Sequence, residues 1–277
     1  MIDAKQKRDV LNLCLKIGGV PFLIFVWWLL SKALGEYRVP SPLIVFPGFF
    51  TTITSSSQLA FSGAGENGFL PHVLATVGKV VLGTGIGTVF GIFLGLLMMW
   101  HQPLRAFLRL PIDGLRAIPP LAFVPIFFTL FGRTLFAQII SLVLYSFLLI
   151  VVNTVNAVEN VLPIYQRFAY SLGATRGKMF RTVILPAIIP ELIGGVRVAI
   201  IWGWGLQVII EIMGAKVGIG KALVLTQQLN ALDLLVIGAL WVVLLAGVMD
   251  VIFYVIITFV IRWQPRMIKR KRLSHQR

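Results

Sequence analysis

The chain has 277 residues, of which 58% are hydrophobic and 13% charged, about half the charged share of a soluble globular domain, so water alone is excluded as its solvent. Its formal net charge of +15 comes from 25 Lys and Arg against 10 Asp and Glu, and the placement of those basic residues decides between a nucleic-acid and a membrane partner. One cysteine, Cys14, allows no disulfide within the chain, and His72, His101 and His275 are too scattered for a metal site, so neither redox nor metal chemistry is indicated.

About 20 apolar residues are needed to carry a helix across roughly 30 Å of hydrocarbon. The first such run, 17–34, follows Lys5, Lys7, Arg8 and Lys16 and superficially resembles a signal peptide; no small-residue cleavage pattern follows it, which predicts a retained first helix. Residues 36–72 then form the longest external segment, rich in Ser, Gly and Pro, predicted as a partly ordered loop with Val39-Pro40-Ser41-Pro42 extended. The second span, 73–100, carries Gly83, Gly87, Gly91 and Gly95 on one stripe, where another helix can approach closely. That face serves close packing, or alternatively lets helices slide during a transport cycle. The third span, 112–131, contains Asp113, Arg116, Pro119, Pro120 and Pro125, so a re-entrant segment competes with a full crossing. Spans at 135–155, 192–213 and 232–261 complete six.

With the N-terminus inside, the cytoplasmic segments 1–16, 101–116, 156–197 and 262–277 hold 19 of the 25 basic residues. Outside are five, Lys32, Arg38, Arg133, Lys216 and Lys221, while Lys79 lies within a span. This asymmetry predicts both termini in the cytoplasm. The tail Lys269-Arg270-Lys271-Arg272 directly follows a span and is read as an anchor to anionic lipid rather than a nucleic-acid patch.

Between the fourth and fifth spans lies YQRFAYSLGATRGKMFRTVILPAIIPELIGGVR (165–197), amphipathic, basic and long for a turn. Gly173 separates two helical pieces, 162–172 and 174–183, and Leu185-Pro186 is expected to end the second, with Pro190 near the start of the fifth span. Such a bracket fits a cleft on another protein, or else lies in the interface against lipid. No phosphate-binding loop accompanies it: residues 215–222 (AKVGIGKA) lack the first glycine and the final Ser/Thr of that motif.

The spacing of Ala169, Gly173, Val183, Leu185 and Pro186 resembles the EAA loop of ABC importer permeases, E-A-A-x3-G-x9-I-x-L-P. The stretch LGATRGKMFRTVILPAIIPELIGGVRVAI is similar to the nitrate/sulfonate/taurine branch of binding-protein-dependent inner membrane components. Pro40-Ser41-Pro42, the glycine stripe, Ile118-Pro119-Pro120-Leu121-Ala122, Phe131-Gly132, and Glu211 ahead of Gly218-Ile219-Gly220 extend the likeness over about 37–262. Two departures are Arg167-Phe168 in place of Glu-Ala and Val183 in place of Ile.

The resemblance implies an all-α polytopic membrane protein with six transmembrane helices and the type I ABC importer fold. Its expected organisation is a cytoplasmic segment 1–16, a first helix 17–35, an external loop 36–72, a core 73–262 with the coupling loop at 161–190, and a basic tail 263–277. Phe168, Ala169, Ser171, Leu172, Gly173, Ala174 and Thr175 would dock on an ATPase. The implied partners are a second copy of the chain, two cytoplasmic ATPase subunits that carry ATP and magnesium, an extracytoplasmic substrate-binding protein and membrane lipid, with no nucleic acid. The chain itself would hold no cofactor and catalyse nothing, in a bacterial inner membrane, for a small anionic solute such as a sulfonate, nitrate, taurine or an aromatic carboxylate.

Ionisable residues in spans need a reason, because a mid-bilayer charge costs on the order of 2.5–3.5 kcal/mol on lenient scales. Glu191 and Arg197 are expected to pair structurally at the cytoplasmic boundary, Glu211 is a gate or pathway candidate, and Asp250 is deepest with no obvious partner. Phe123, Trp202, Trp204 and Gln207, with Glu211, could line a pathway between two copies. An ion-gradient-driven secondary transporter is the alternative; it would need an inverted repeat and mid-membrane carboxylates.

Overall fold

A computed structural model describes residues 4–61 and 63–260. The basic tail 263–277 and the N-terminal side chains Lys5, Lys7, Arg8, Cys14 and Lys16 lie outside the described residues. Among those described there is no strand, and the chain is all-helical. It divides into two units, Met1–Ala75 with Val217–Val242, and Thr76–Lys216 with Val243–Arg277.

The first unit holds α1 (Ala4–Leu34), α2 (Pro42–Thr51), α3 (Ser57–Phe61), the start of α4 (Leu70–Trp100), α11 (Ile219–Gln228) and the start of α12 (Leu232–Val260). The expected loop after α1 is therefore about half helical. Ser41 caps α2 by accepting from the Leu43 N–H at 3.4 Å, and Pro42 is the first helical residue rather than extended. Ser followed by Pro suits that position, because the cap oxygen replaces a missing partner and proline lacks a donor that would be orphaned anyway. Phe49 stacks on Trp241 at 4.3 Å. His72, 2% exposed, sets Nε2 2.9 Å from the Ala64 carbonyl, while its Nδ1 lies 3.1 Å from the Gly218 N–H. Nδ1 also lies 3.0 Å from the Gly218 carbonyl, so each ring nitrogen faces a backbone carbonyl. His72 is thus a strut between two loops.

The second unit contains the rest of α4 and α12, with α5 (Gln102–Ala117), a 3-10 turn (Pro120–Ala122), α6 (Phe123–Phe131), α7 (Leu135–Glu159), α8 (Pro163–Ser171), α9 (Arg176–Met179), a π turn (Phe180–Ile184) and α10 (Leu185–Gly214). Its centre is α7. A Cβ built on Gly83, Gly87, Gly91 or Gly95 of α4 would come within 2.0–2.8 Å of Leu142, Ser146, Ile150 or Thr154 respectively. The two four-residue ladders interlock turn by turn, and glycine on one side is what allows the backbones to meet.

Two proline-bearing stretches depart from the sequence expectation in opposite directions. The third span is not continuous: α5 and the segment from Pro120 to Phe131 meet at 84°. Ile118 and Pro119 are extended (ψ 127° and 128°), as the residue before a proline is driven to be, and the consecutive prolines remove two donors. Conversely, Pro186 ends nothing, since Arg176–Gly214 runs on as 39 helical residues. The π turn immediately before it widens the backbone where the proline ring would otherwise press on the Thr182 carbonyl.

By length and apolarity four helices can cross a membrane: Leu70–Trp100, Leu135–Glu159, Arg176–Gly214 and Leu232–Phe259. The bent pair makes a fifth if it counts as one span, and Gly18–Leu34 is a shorter apolar helix of 17 residues, so the expected six exceeds the four to five that length supports.

Candidate coupling loop and intramembrane polar sites

The bracket begins at Pro163, which starts α8 after the extended Leu162 (ψ 128°). It turns at Gly173. The Gly173 N–H donates to the Tyr170 carbonyl at 2.9 Å and the Ala174 N–H to the Ala169 carbonyl at 3.0 Å, the paired bonds of a Schellman cap. Gly173 takes φ +76°, a left-handed conformation in which Cβ is penalised, yet a Cβ there would meet nothing within 4 Å. Its demand is therefore conformational, not spatial. Thr175 then caps α9, accepting from the Lys178 N–H at 3.4 Å, and the Ser171 hydroxyl bonds back to the Phe168 carbonyl at 2.8 Å.

Burial fixes how the bracket sits on its own unit. Ala169 and Met179 join a core with Val158, Val161, Ile184 and Ile188, anchoring both pieces to the end of α7 and the start of α10. Phe168 and Leu172 remain 65% and 73% exposed, flanking the buried Ala169. Arg167, where the motif has glutamate, is exposed.

Charged residues inside the spans are paired, with partners the sequence does not suggest. Glu211, fully buried, accepts from the Thr76 hydroxyl at 2.9 Å, Lys79 Nζ at 3.0 Å and Gln207 Nε2 at 3.0 Å. Arg197 does not pair with Glu191. It makes a two-pronged bond with Asp250 at 2.6 and 2.7 Å, while Glu191 accepts from Asn160 at 2.8 Å. Two forked N–H groups match the two carboxylate oxygens, which no single-point partner would do.

The five pathway candidates separate. Gln207 and Glu211 come together in the buried cluster, Trp204 is 3% exposed, and Trp202 is 69% exposed on the other side of α10. Phe123 lines a groove of about 390 Å³ between the bend at 118–122 and α7. That groove is lined by Arg116 and by residues of α7 that the sequence reading passed over, among them Tyr145, Asn153 and Asn156. Their signal was available as polar side chains recurring at three- and four-residue steps in an apolar helix.

Residues 87–270, well over half the chain, match the family described as the binding-protein-dependent transport system inner membrane component. The chain belongs to that family. Among its relatives are the taurine transport system permease protein TauC of Escherichia coli, 27% identical over 85% of this chain and 84% of that one. The bicarbonate transport system permease protein CmpB of Synechococcus elongatus is 28% identical over 86% and 85% of the two chains, and the formylaminopyrimidine transport permease protein ThiX of Halalkalibacterium halodurans 28% over 72% and 75%. The permease also superposes on a chain of the inward-facing MetNI methionine ABC transporter with a TM-score of 0.61, covering 74% of this chain and 99% of that one at 18% identity. An amino acid ABC transporter crystallised with histidines gives 0.60 at 19% identity, over 75% and 97%. The fold is thus that of a type I ABC importer permease, and the chain is a multi-pass membrane transport component of the nitrate/sulfonate/taurine type.

Proposed function

We propose that two copies of this permease form one translocation path for a small anionic solute, driven by ATP hydrolysis on separate subunits that grip the bracket around Gly173. The observation that carries the reading is the pair Phe168 and Leu172, two large apolar side chains held out from the protein on a capped and core-anchored turn. Exposed apolar groups on a rigid support suit a helix-in-groove contact, since little freedom is lost on docking. Arg167 would alter individual contacts there without removing the apolar anchor. Anionic character is supported by the relatives, two of which are named for taurine and bicarbonate transport. ATP and magnesium belong on the partner subunits in this reading, and a binding protein delivers the solute outside. Both termini lie in the cytoplasm by the distribution of basic residues.

Ion-paired carboxylates favour this over a gradient-driven carrier. Glu211 is bonded by Lys79 and Asp250 by Arg197, whereas a coupling carboxylate must load and release its ion. The test is ATP-dependent uptake by the complete transporter in proteoliposomes, comparing wild type with Gly173→Trp. The expected result is retained assembly in the membrane and loss of uptake, because a Cβ at this position meets nothing in this chain within 4 Å and the ring beyond it stands in the proposed docking surface. Full coupled transport by Gly173→Trp, or uptake without any ATPase, would overturn the reading.

A further inference from the structure

The face of α7 carrying Ser141, Tyr145, Asn153 and Asn156 is turned to the groove beneath the 84° bend, adjacent to the face that interlocks with the α4 glycines. From Ser141 to Asn156 it extends about 22 Å along the helix. The Tyr145 hydroxyl and the Asn153 and Asn156 side-chain amides form no hydrogen bond with any described residue, and the Asn153 Oδ1 is buried without a partner. Asn153 is pressed against Gly195 of α10, where a Cβ would lie 2.2 Å from its Oδ1. Polar side chains on a bilayer-spanning helix are costly against lipid, so a run of them along one groove suits a face that meets water or a polar solute.

The donor excess comes from Arg116: the Tyr145 hydroxyl and the asparagine amides both donate and accept, whereas the guanidinium at one end only donates, and its Asp113 neighbour, 3.6 Å away, is shared with Arg109 at 3.9 Å. Arg105 and Glu159 beyond them form an ion pair, leaving the mouth with one net positive charge. Phe123 and Leu148 supply apolar walls, and about 390 Å³ is near the lower end of the roughly 300–1,000 Å³ of small-molecule sites.

We infer that this groove is a contact site for the transported solute, taking a small oxyanion such as a sulfonate or carboxylate through Arg116, Tyr145, Asn153 and Asn156. The inference rests on the importer reading above and adds the residues that meet the solute within this chain. It is tested without knowing the solute, using a sulfonate-bearing thiol reagent and its trimethylammonium counterpart on the complete transporter in a Cys14→Ser background. Tyr145→Cys and Asn153→Cys are each expected to react from water, the anionic reagent about tenfold faster once rates are normalised to free 2-mercaptoethanol. Arg116→Gln should abolish that preference. Absence of labelling at both positions, or equal normalised rates, would overturn the site. A second arm measures ATP-driven uptake of radiolabelled taurine and bicarbonate by Tyr145→Phe and Asn153→Leu, each expected to fall about tenfold on loss of a polar contact worth about 1.4 kcal/mol. If either solute is carried and both variants carry it at the wild-type rate, the site is wrong while the importer reading survives. If neither solute is carried by wild type but labelling keeps its anionic preference, the site survives and the solute assignment falls.

Discussion

Two polar clusters lie within the spans of this permease, and they are built in opposite ways. Around Glu211 every charge is met: the carboxylate receives Thr76, Lys79 and Gln207 and is closed off from solvent. Along the groove face of α7, Tyr145, Asn153 and Asn156 line open space and make no hydrogen bond to another described residue. A closed ionic cluster orients helices and is costly to break, whereas polar side chains facing a groove suit the proposed contact with a solute. Finding Glu211 within a span suggests a pathway residue from sequence alone; its three donors favour an internal fastener instead.

The comparison predicts that changes at closed positions cost folded protein and changes at open ones cost transport. Glu211→Leu should have the largest effect, leaving Lys79 buried without its carboxylate at about 3–5 kcal/mol, and adding Lys79→Met should recover most of it. Thermal unfolding of the detergent-solubilised chain checks this, and a Lys79→Met/Glu211→Leu protein no more stable than Glu211→Leu would break the contrast. Next comes the sealed α4–α7 face. Gly87→Leu must displace Ser146 and the Val143 carbonyl, at 2.0 and 2.6 Å from a built Cβ, whereas Gly85→Ala, with nothing within 4 Å, should be silent in the same measurement. We expect about 1–3 kcal/mol for the first, as for other overpacked contacts.

Two smaller effects sharpen the open side. Gly195→Ala should leave the amount of folded protein close to wild type yet shift Asn153, whose amide lies 2.2 Å from the added carbon, and slow uptake more than it lowers stability. Equal losses in both would put Asn153 with the fasteners. Gly173→Ala should cost about 1 kcal/mol through its left-handed backbone alone, with partial uncoupling of ATP hydrolysis from uptake. A stability change near zero would mean the Schellman turn tolerates a side chain.

Much was legible because it is local. Three of the predicted spans, 73–100, 135–155 and 232–261, coincide with helices to within a few residues, while α1 reaches back to Ala4 and the fifth joins the bracket, since an apolar run of bilayer length needs no partner to be recognised. The glycine stripe and the turn at Gly173 were likewise visible, as spacing and as a residue type demanded by a positive φ. Proline outcomes were less so. Pro119-Pro120 snapped a helix while Pro186, preceded by a π turn, and Pro190, inside α10, did not, and that choice depends on whether neighbours hold the flanking segments in line.

What the sequence alone determined is that the chain spans a membrane, how its basic residues divide between segments, and that it carries an EAA-like bracket. All of these are set by composition, period and spacing within single segments. Only the tertiary structure decided that Glu211 is tied to Lys79, that Arg197 belongs to Asp250 rather than Glu191, and that one face of α7 is sealed while the next is open. Those facts depend on which residues 50 to 130 positions apart are brought within hydrogen-bonding reach, and in an apolar chain with few charges nothing local encodes the choice.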